Sequence, residues 1–379
     1  MLKPLADIFV GLGKRTLTRQ AFSFLVICLA LPASAAPLDA LLTALPEQIA
    51  PNGYLEVGAD HMNEALDFFK IRDSNKLASG SSAGDYHGSH IEGAYKVADG
   101  AWLSGSFWKR DISGLADNDY HFNSWRAAGL YRFVEQDGKI PAIAVKVSAW
   151  GNYASEMGST SPVHVPGATL VKNQNLSTVK ITDPSDRQLQ ADLIGTWKLS
   201  PSTDISVLLS AGSTQLSYGE LSATATLNSD GCSYQLRFIG NSILGTCDQP
   251  FKQFLDSSGS YGVDVNKELG WRGNFIQVGA NAAWRSGPWT LRGGYLFYAV
   301  QREAVDDILA SRGWTVYNQS QNLLLEANYR FHPHLTAYAR SQLSSTMFFN
   351  EMPVTYNTFS SDLFGTRYSL FTVGLRADF

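Results

Sequence analysis

The stretch Leu189-Gln190-Ala191-Asp192-Leu193-Ile194-Gly195-Thr196-Trp197-Lys198-Leu199 alternates along its length. Successive side chains of an extended strand point to opposite faces, so a period of two separates two surfaces. Leu189, Ala191, Leu193, Gly195, Trp197 and Leu199 share one face. Gln190, Asp192, Ile194, Thr196 and Lys198 share the other. The same pattern recurs in Ile276, Val278, Ala280, Ala282, Trp284, and in Leu323, Leu325, Ala327, Tyr329, Phe331. It closes the chain in Phe371, Val373, Leu375, Ala377, Phe379. Such segments begin near Tyr54, Asp85, Ala101, Tyr120, Ile140, Gln188, Asp204, Asn274, Trp289, Asn318, His334 and Arg367, which makes about twelve strands, with ten or fourteen as the alternatives.

The connections between them alternate in length. Tight turns rich in Gly, Pro and Asp fall at Ala98-Asp99-Gly100, Gln136-Asp137-Gly138, Ser200-Pro201-Ser202, Ser286-Gly287-Pro288 and His332-Pro333. Longer polar connections occupy 67–84, 113–119, 153–187, 218–273, 302–317 and 348–366. Antiparallel strands joined in this way carry all their long loops on one side. That predicts an all-β fold, a transmembrane antiparallel up-and-down β-barrel with short periplasmic turns and long extracellular loops. Trp102, Trp150, Trp197, Trp284, Trp289, Tyr329 and Phe331 near strand ends are the expected interfacial girdles.

Composition agrees. Of 379 residues, 44% are hydrophobic, 12% aromatic and only 17% charged, against about 25% charged in ordinary soluble domains. This excludes disorder, collagen and coiled coil. An apolar face turned to lipid accounts for the missing charge.

Lys14, Arg15 and Arg19 precede the apolar run Ala21 to Leu31 and then Pro32-Ala33-Ser34-Ala35-Ala36. A basic region, a short apolar core and small residues read as a cleaved signal peptide over 1–36. Of 30 basic and 34 acidic side chains, loss of Lys3, Lys14, Arg15 and Arg19 and of Asp7 leaves 26 and 33. No basic patch points to nucleic acid. Residues 37–53 read as a periplasmic arm or short helix, with a small plug inside the lumen as the alternative. Residues 54–379 are the barrel. In an oxidising compartment Cys232 and Cys247 are an expected disulfide. The scattered histidines offer no metal-ligand spacing and no phosphate loop is present, so neither metal nor cofactor is expected.

The terminal strand Tyr368-Ser-Leu-Phe-Thr-Val-Gly-Leu-Arg-Ala-Asp-Phe379 resembles the signal read by the barrel-assembly machinery, with Phe379 as its last residue. The chain as a whole, over residues 54–379, resembles a porin-like Gram-negative outer-membrane β-barrel protein of no particular subfamily. The resemblance implies a cell outer-membrane location, with outer-membrane lipid and the assembly machinery as partners.

With the apolar set outward, Lys96, Arg126, Arg132, Lys146, Lys198, Arg285, Arg292, Arg330, Arg340 and Arg376 point inward. Glu56, Asp60, Glu92, Asp192, Asp204, Glu326 and Asp378 do the same. Either these charges pair and fill a narrow barrel, or they form a basic ladder that favours anions. Tyr298, Tyr338 and Trp150 also face inward. The expected function is diffusion of small polar or anionic solutes, or of a secreted polymer, through a charged lumen. The alternatives are a plugged structural or surface-interaction barrel and a lipid hydrolase. For the last, His87-Gly88-Ser89-His90 is similar to the start of the His-x-Ser-Asn-Gly motif of outer-membrane phospholipases, but lacks its Asn-Gly. That resemblance gives Ser89 and His87 catalytic roles on the outer face, with His61 and Asn63 near the same rim.

Overall fold

A computed structural model describes residues 45–62, 84–115, 118–159, 163–164, 175–176, 178–227, 232–248, 251–257, 264–346, 350–358 and 360–379. The expected signal peptide, residues 37–44 of the expected arm and Asn63 lie outside them.

Twelve antiparallel strands close into a barrel. They are β1 (Gly53–Met62), β2 (Asp85–Ala98), β3 (Ala101–Leu115), β4 (Asn118–Val134), β5 (Ala142–Tyr153) and β6 (Ser185–Ser200). They continue as β7 (Thr203–Ser217), β8 (Arg272–Ser286), β9 (Trp289–Arg302), β10 (Gln319–His332), β11 (Leu335–Ser344) and β12 (Tyr368–Asp378). Every strand pairs with its neighbour in chain order, and β1 closes on β12 through Val57 opposite Leu375. Closure matters in lipid, because an open edge would leave backbone donors and acceptors without partners.

The period of two sorts the faces as expected. Leu55, Val57, Ile91, Leu189, Leu193, Leu209, Ile276, Val278, Leu325, Val373 and Leu375 are exposed on the outer wall. An apolar band of this kind is stable only against hydrocarbon. Tyr95, Tyr131, Trp284, Trp289, Tyr329, Phe331 and Phe379 ring the end that carries the tight turns, and Trp289 packs at a tilt against Tyr329 with ring centres 4.8 Å apart. Trp102 and Trp150 do not join the girdle. Both take the inward register and are buried.

Two long connections differ from expectation. The 113–119 segment is a continuation of the β3–β4 hairpin, paired as far as Leu115 opposite Asn118. The 218–273 region is more than a hairpin. Its strands Leu221–Leu227, Cys232–Ile239, Ser242–Asp248 and Phe251–Ser257 join Thr178–Thr182 and Glu156–Ser159 in a six-stranded sheet. Cys232 and Cys247 are disulfide-bonded within it. Leu236, Phe238, Ile243 and Leu221 form one apolar cluster with barrel residues Met62, Tyr86, Ile112, Phe122 and Tyr368. The sheet is therefore packed onto the inner face of the barrel's extracellular end. Among the described residues no helix is long and apolar enough to cross a membrane.

Candidate functional site

The inward faces build a lumen in three layers. At the periplasmic end, Pro46–Gln48 forms a single 3-10 turn. Leu45, Ile49 and Ala50 beside it are buried among Trp102, Leu130, Ala144, Ile194, Leu208, Leu296 and Leu324 from the barrel wall. Arg132 pairs with Glu47, and Arg285 donates to the Gln48 carbonyl at 3.2 Å while pairing with Asp204 at 2.6 Å. Residues 45–50 thus close this end with a dry apolar contact, one ion pair and one hydrogen bond from an arginine.

The middle layer is ionic. Glu56 and Glu92 are direct cross-strand partners on β1 and β2, an arrangement of like charges that needs neutralising neighbours. Arg340 supplies one, donating to Glu56 Oε1 at 3.1 Å and to Glu326 Oε2 at 2.7 Å. Arg292 donates to Glu326 Oε1 at 3.0 Å, and Arg376 stands 3.6 Å from Glu56. Tyr54 donates its hydroxyl to Glu92 at 2.9 Å. His90 lies between Asp60, at 3.0 Å, and the Tyr338 hydroxyl, also at 3.0 Å. Gly58 makes room for this packing. A Cβ there would sit 2.5 Å from both His90 and Tyr338. Across the barrel Lys146 pairs with Asp192 at 2.9 Å.

Arg126 is the exception. It is buried at 5% exposure, yet among the described residues it has no ion pair and no side-chain hydrogen bond. Its direct neighbours across β3 and β5 are Ser106 and Trp150. Ser106 Oγ and Trp150 Nε1 are likewise buried without partners. Buried donors left in this state carry a desolvation cost of about 1–3 kcal/mol each, and they are an unspent capacity for an acceptor.

The extracellular layer is supplied by the β11–β12 connection. Glu351 is buried where it accepts from Arg110 at 3.0 Å, Tyr368 at 2.8 Å and Gln342. Asn152 donates to the Glu351 carbonyl at 2.9 Å, and Asp186 accepts from the Val354 amide at 3.0 Å. Tyr356 lies beneath the Arg302 guanidinium, 3.8 Å from its ring centre, and its carbonyl accepts from Trp271 at 2.8 Å.

The predicted inward residues separate into groups. Arg126, Lys146, Asp192, Arg292, Glu326, Arg340 and Arg376 are brought together in the buried middle. Arg132 and Arg285 hold the 45–50 segment. Lys96 is tied to Asp99 in the next turn at 2.7 Å. Lys198 and Arg330 are exposed at the periplasmic rim, outside the enclosed lumen. Sequence reading missed Arg110, which shares the inward register of Trp102 and Trp108 and was open to detection. It also missed Asp186 and Glu351, which lie in segments read as loops.

On the outer wall, His61 and His87 are cross-strand partners with ring centres 4.2 Å apart. Ser89 follows on the same exposed face, opposite Lys109. Asp111, opposite His87, is engaged by His121 at 2.6 Å. Among the described residues neither Ser89 nor His87 makes a side-chain hydrogen bond, so the nucleophile–base contact of a hydrolase is not formed.

No family model matches the chain, and no curated protein matches its sequence. Among solved structures it is similar to the NanC porin, at 8% identity and a TM-score of 0.42, over 86% of this chain and 100% of that one. It is similar to the KdgM porin at 8% identity and a TM-score of 0.37, over 86% and 99%. The translocator domain of the autotransporter NalP from Neisseria meningitidis matches at 10% identity and a TM-score of 0.45, over 95% and 98%. Likeness at this level says nothing of solute or role.

Proposed function

We propose that the protein is an outer-membrane barrel that passes small polar or anionic solutes by diffusion through a lumen closed by its own 45–50 and 350–358 segments. Arg126, a residue only 5% exposed that has no ion pair or side-chain hydrogen bond among the described residues, is the observation that supports a solute path and favours an anion. A barrel needing only to be filled gains nothing from ionised groups. Buried ion pairs are commonly neutral or worse than apolar packing, by about 1–4 kcal/mol. Here the middle layer is rich in buried ion pairs, and among the described residues Arg126 is left without one. Export by the 1–36 leader, insertion through the Tyr368–Phe379 strand by the assembly machinery, and residence in outer-membrane lipid belong to the same reading.

Planar-bilayer recording tests it. Wild-type protein is expected to insert and stay mostly closed, and a variant lacking both residues 45–50 and residues 350–358 to conduct with anion preference. Arg126→Ala in that background should move the reversal potential toward zero. A protein that inserts in both forms and never conducts would sink the channel. The second reading, a plugged surface-interaction barrel, would then stand, and the six-stranded sheet on the extracellular side is what favours it.

A further inference from the structure

A second site lies on the outside of the barrel. Where β7 and β8 leave the apolar belt, the six-stranded sheet overhangs them and encloses a cleft of about 820 Å³. This is within the range of small-ligand sites, roughly 300–1,000 Å³. Gln215 and Arg272 form its floor on the outer wall, Arg237 and Ile239 its roof, and Lys267 and Trp271 its side.

The register extends this floor. Arg187 on β6 is the direct partner of Gln215 on β7, and Gln215 of Arg272 on β8. Two arginines therefore stand two strands apart, about 10 Å at the usual strand spacing, both exposed on the outward face. Among the described residues neither has an ion pair or a side-chain hydrogen bond. The next outward apolar residues toward the periplasm are Leu189 on β6 and Ile276 on β8, about half exposed. The arginine row thus marks the upper boundary of the belt.

The acids of the cleft do not cancel these charges. Glu220 is engaged by Arg237 at 2.9 and 2.6 Å, and its hydrogen bonds from Arg237 hold its carboxyl below the usual range. Lys267 is paired with Asp264 at 2.8 Å. Glu303 stands directly across from Arg272, its amide donating to the Arg272 carbonyl at 2.7 Å, but no ion pair joins the two side chains among the described residues. Arg187 and Arg272 keep guanidinium forks that no ion pair occupies among the described residues, the geometry that suits phosphate.

We infer that this cleft binds the phosphorylated headgroup of an outer-leaflet lipid. The phosphate lies across Arg187, Gln215 and Arg272, the headgroup sits under the overhanging sheet, and the acyl chains run down past Leu189 and Ile276. A phosphate-bearing lipid is favoured over a soluble anion because the arginines border the belt that faces hydrocarbon. The inference rests on the membrane location proposed above and is independent of conduction.

Native mass spectrometry of the full chain in maltoside micelles tests it, with diphosphoryl lipid A, its dephosphorylated form and inorganic phosphate as probes. One diphosphoryl lipid A per barrel is expected, with the dephosphorylated form at least about ten-fold weaker. Arg187→Ala with Arg272→Ala should weaken binding about ten-fold, whereas Lys139→Ala, in a periplasmic turn, should not. Arg272→Gln alone should give an intermediate loss, which keeps the test open if the double variant fails to fold. Equal binding of the dephosphorylated lipid, wild-type binding by the folded double variant, or displacement by equimolar phosphate would each overturn the site. Flotation of the same protein with liposomes separates the two failures. A barrel that floats but binds no lipid A defeats the cleft alone, and one that does not float defeats the location.

Discussion

The middle and upper layers of the lumen use the same chemistry from different sources. In the middle, Glu326 and Glu56 meet Arg292, Arg340 and Arg376, and every partner stands on a barrel strand. Above, Glu351 meets Arg110, Gln342 and Tyr368, but the carboxylate comes from a connection. Removing the first breaks the wall. Removing the second frees a segment and leaves the wall intact. The difference separates an interaction that specifies the barrel from one that can open it, because only the second joins parts able to move apart without breaking a strand ladder.

Glu326→Ala should give the largest effect. It strips the shared carboxylate from two buried arginines and is expected to cost about 3–5 kcal/mol, read as a lower urea midpoint of the micelle-embedded barrel. Breaking the disulfide with Cys232→Ser and Cys247→Ser should cost about 3 kcal/mol in the chain-entropy model. Limited proteolysis should place that loss between residues 221 and 257, with the barrel still resistant. Loss of the barrel together with the sheet would show that the added parts and the wall fold as one unit.

Glu351→Ala should cost about 1–3 kcal/mol, since it leaves Arg110 buried without its acceptor. It should also raise the open fraction in bilayers, which Glu326→Ala should not do in any molecule that folds. The smallest effect concerns pH. Arg237 lowers the Glu220 carboxyl, so this contact supports the folded sheet above the unfolded value of about 4.3 and is lost as pH falls through the lower folded value. The pair is exposed, so amide protection around residues 219–221 should fall as the pH drops through that lower value, with little change in overall stability.

The outer wall was legible because lipid imposes one requirement on every second residue, and Leu189 through Leu199 displays it without reference to any other strand. The inward register was equally legible, and Arg126, Glu326 and Arg340 fall where alternation puts them. The error over Trp102 and Trp150 has a simple cause. Both were placed by nearness to strand ends, whereas parity alone decides which face a side chain takes. Arg110 escaped notice although its parity matched that of Trp108. Glu351 and Asp186 could not be found in this way, since a residue in a connection has no period to assign it.

By itself the sequence determined the up-and-down strand pattern, the sign of each face and the disulfide pair, because these follow from local alternation and from having only two cysteines after residue 36. Only the tertiary structure decided which charges meet. Arg340 joins Glu56 across 284 positions of chain, and the 45–50 and 350–358 segments enter the lumen from opposite ends. A closed barrel brings distant strands together around one axis. The pairing inside it depends on stagger and on the paths of its connections, which no local pattern records.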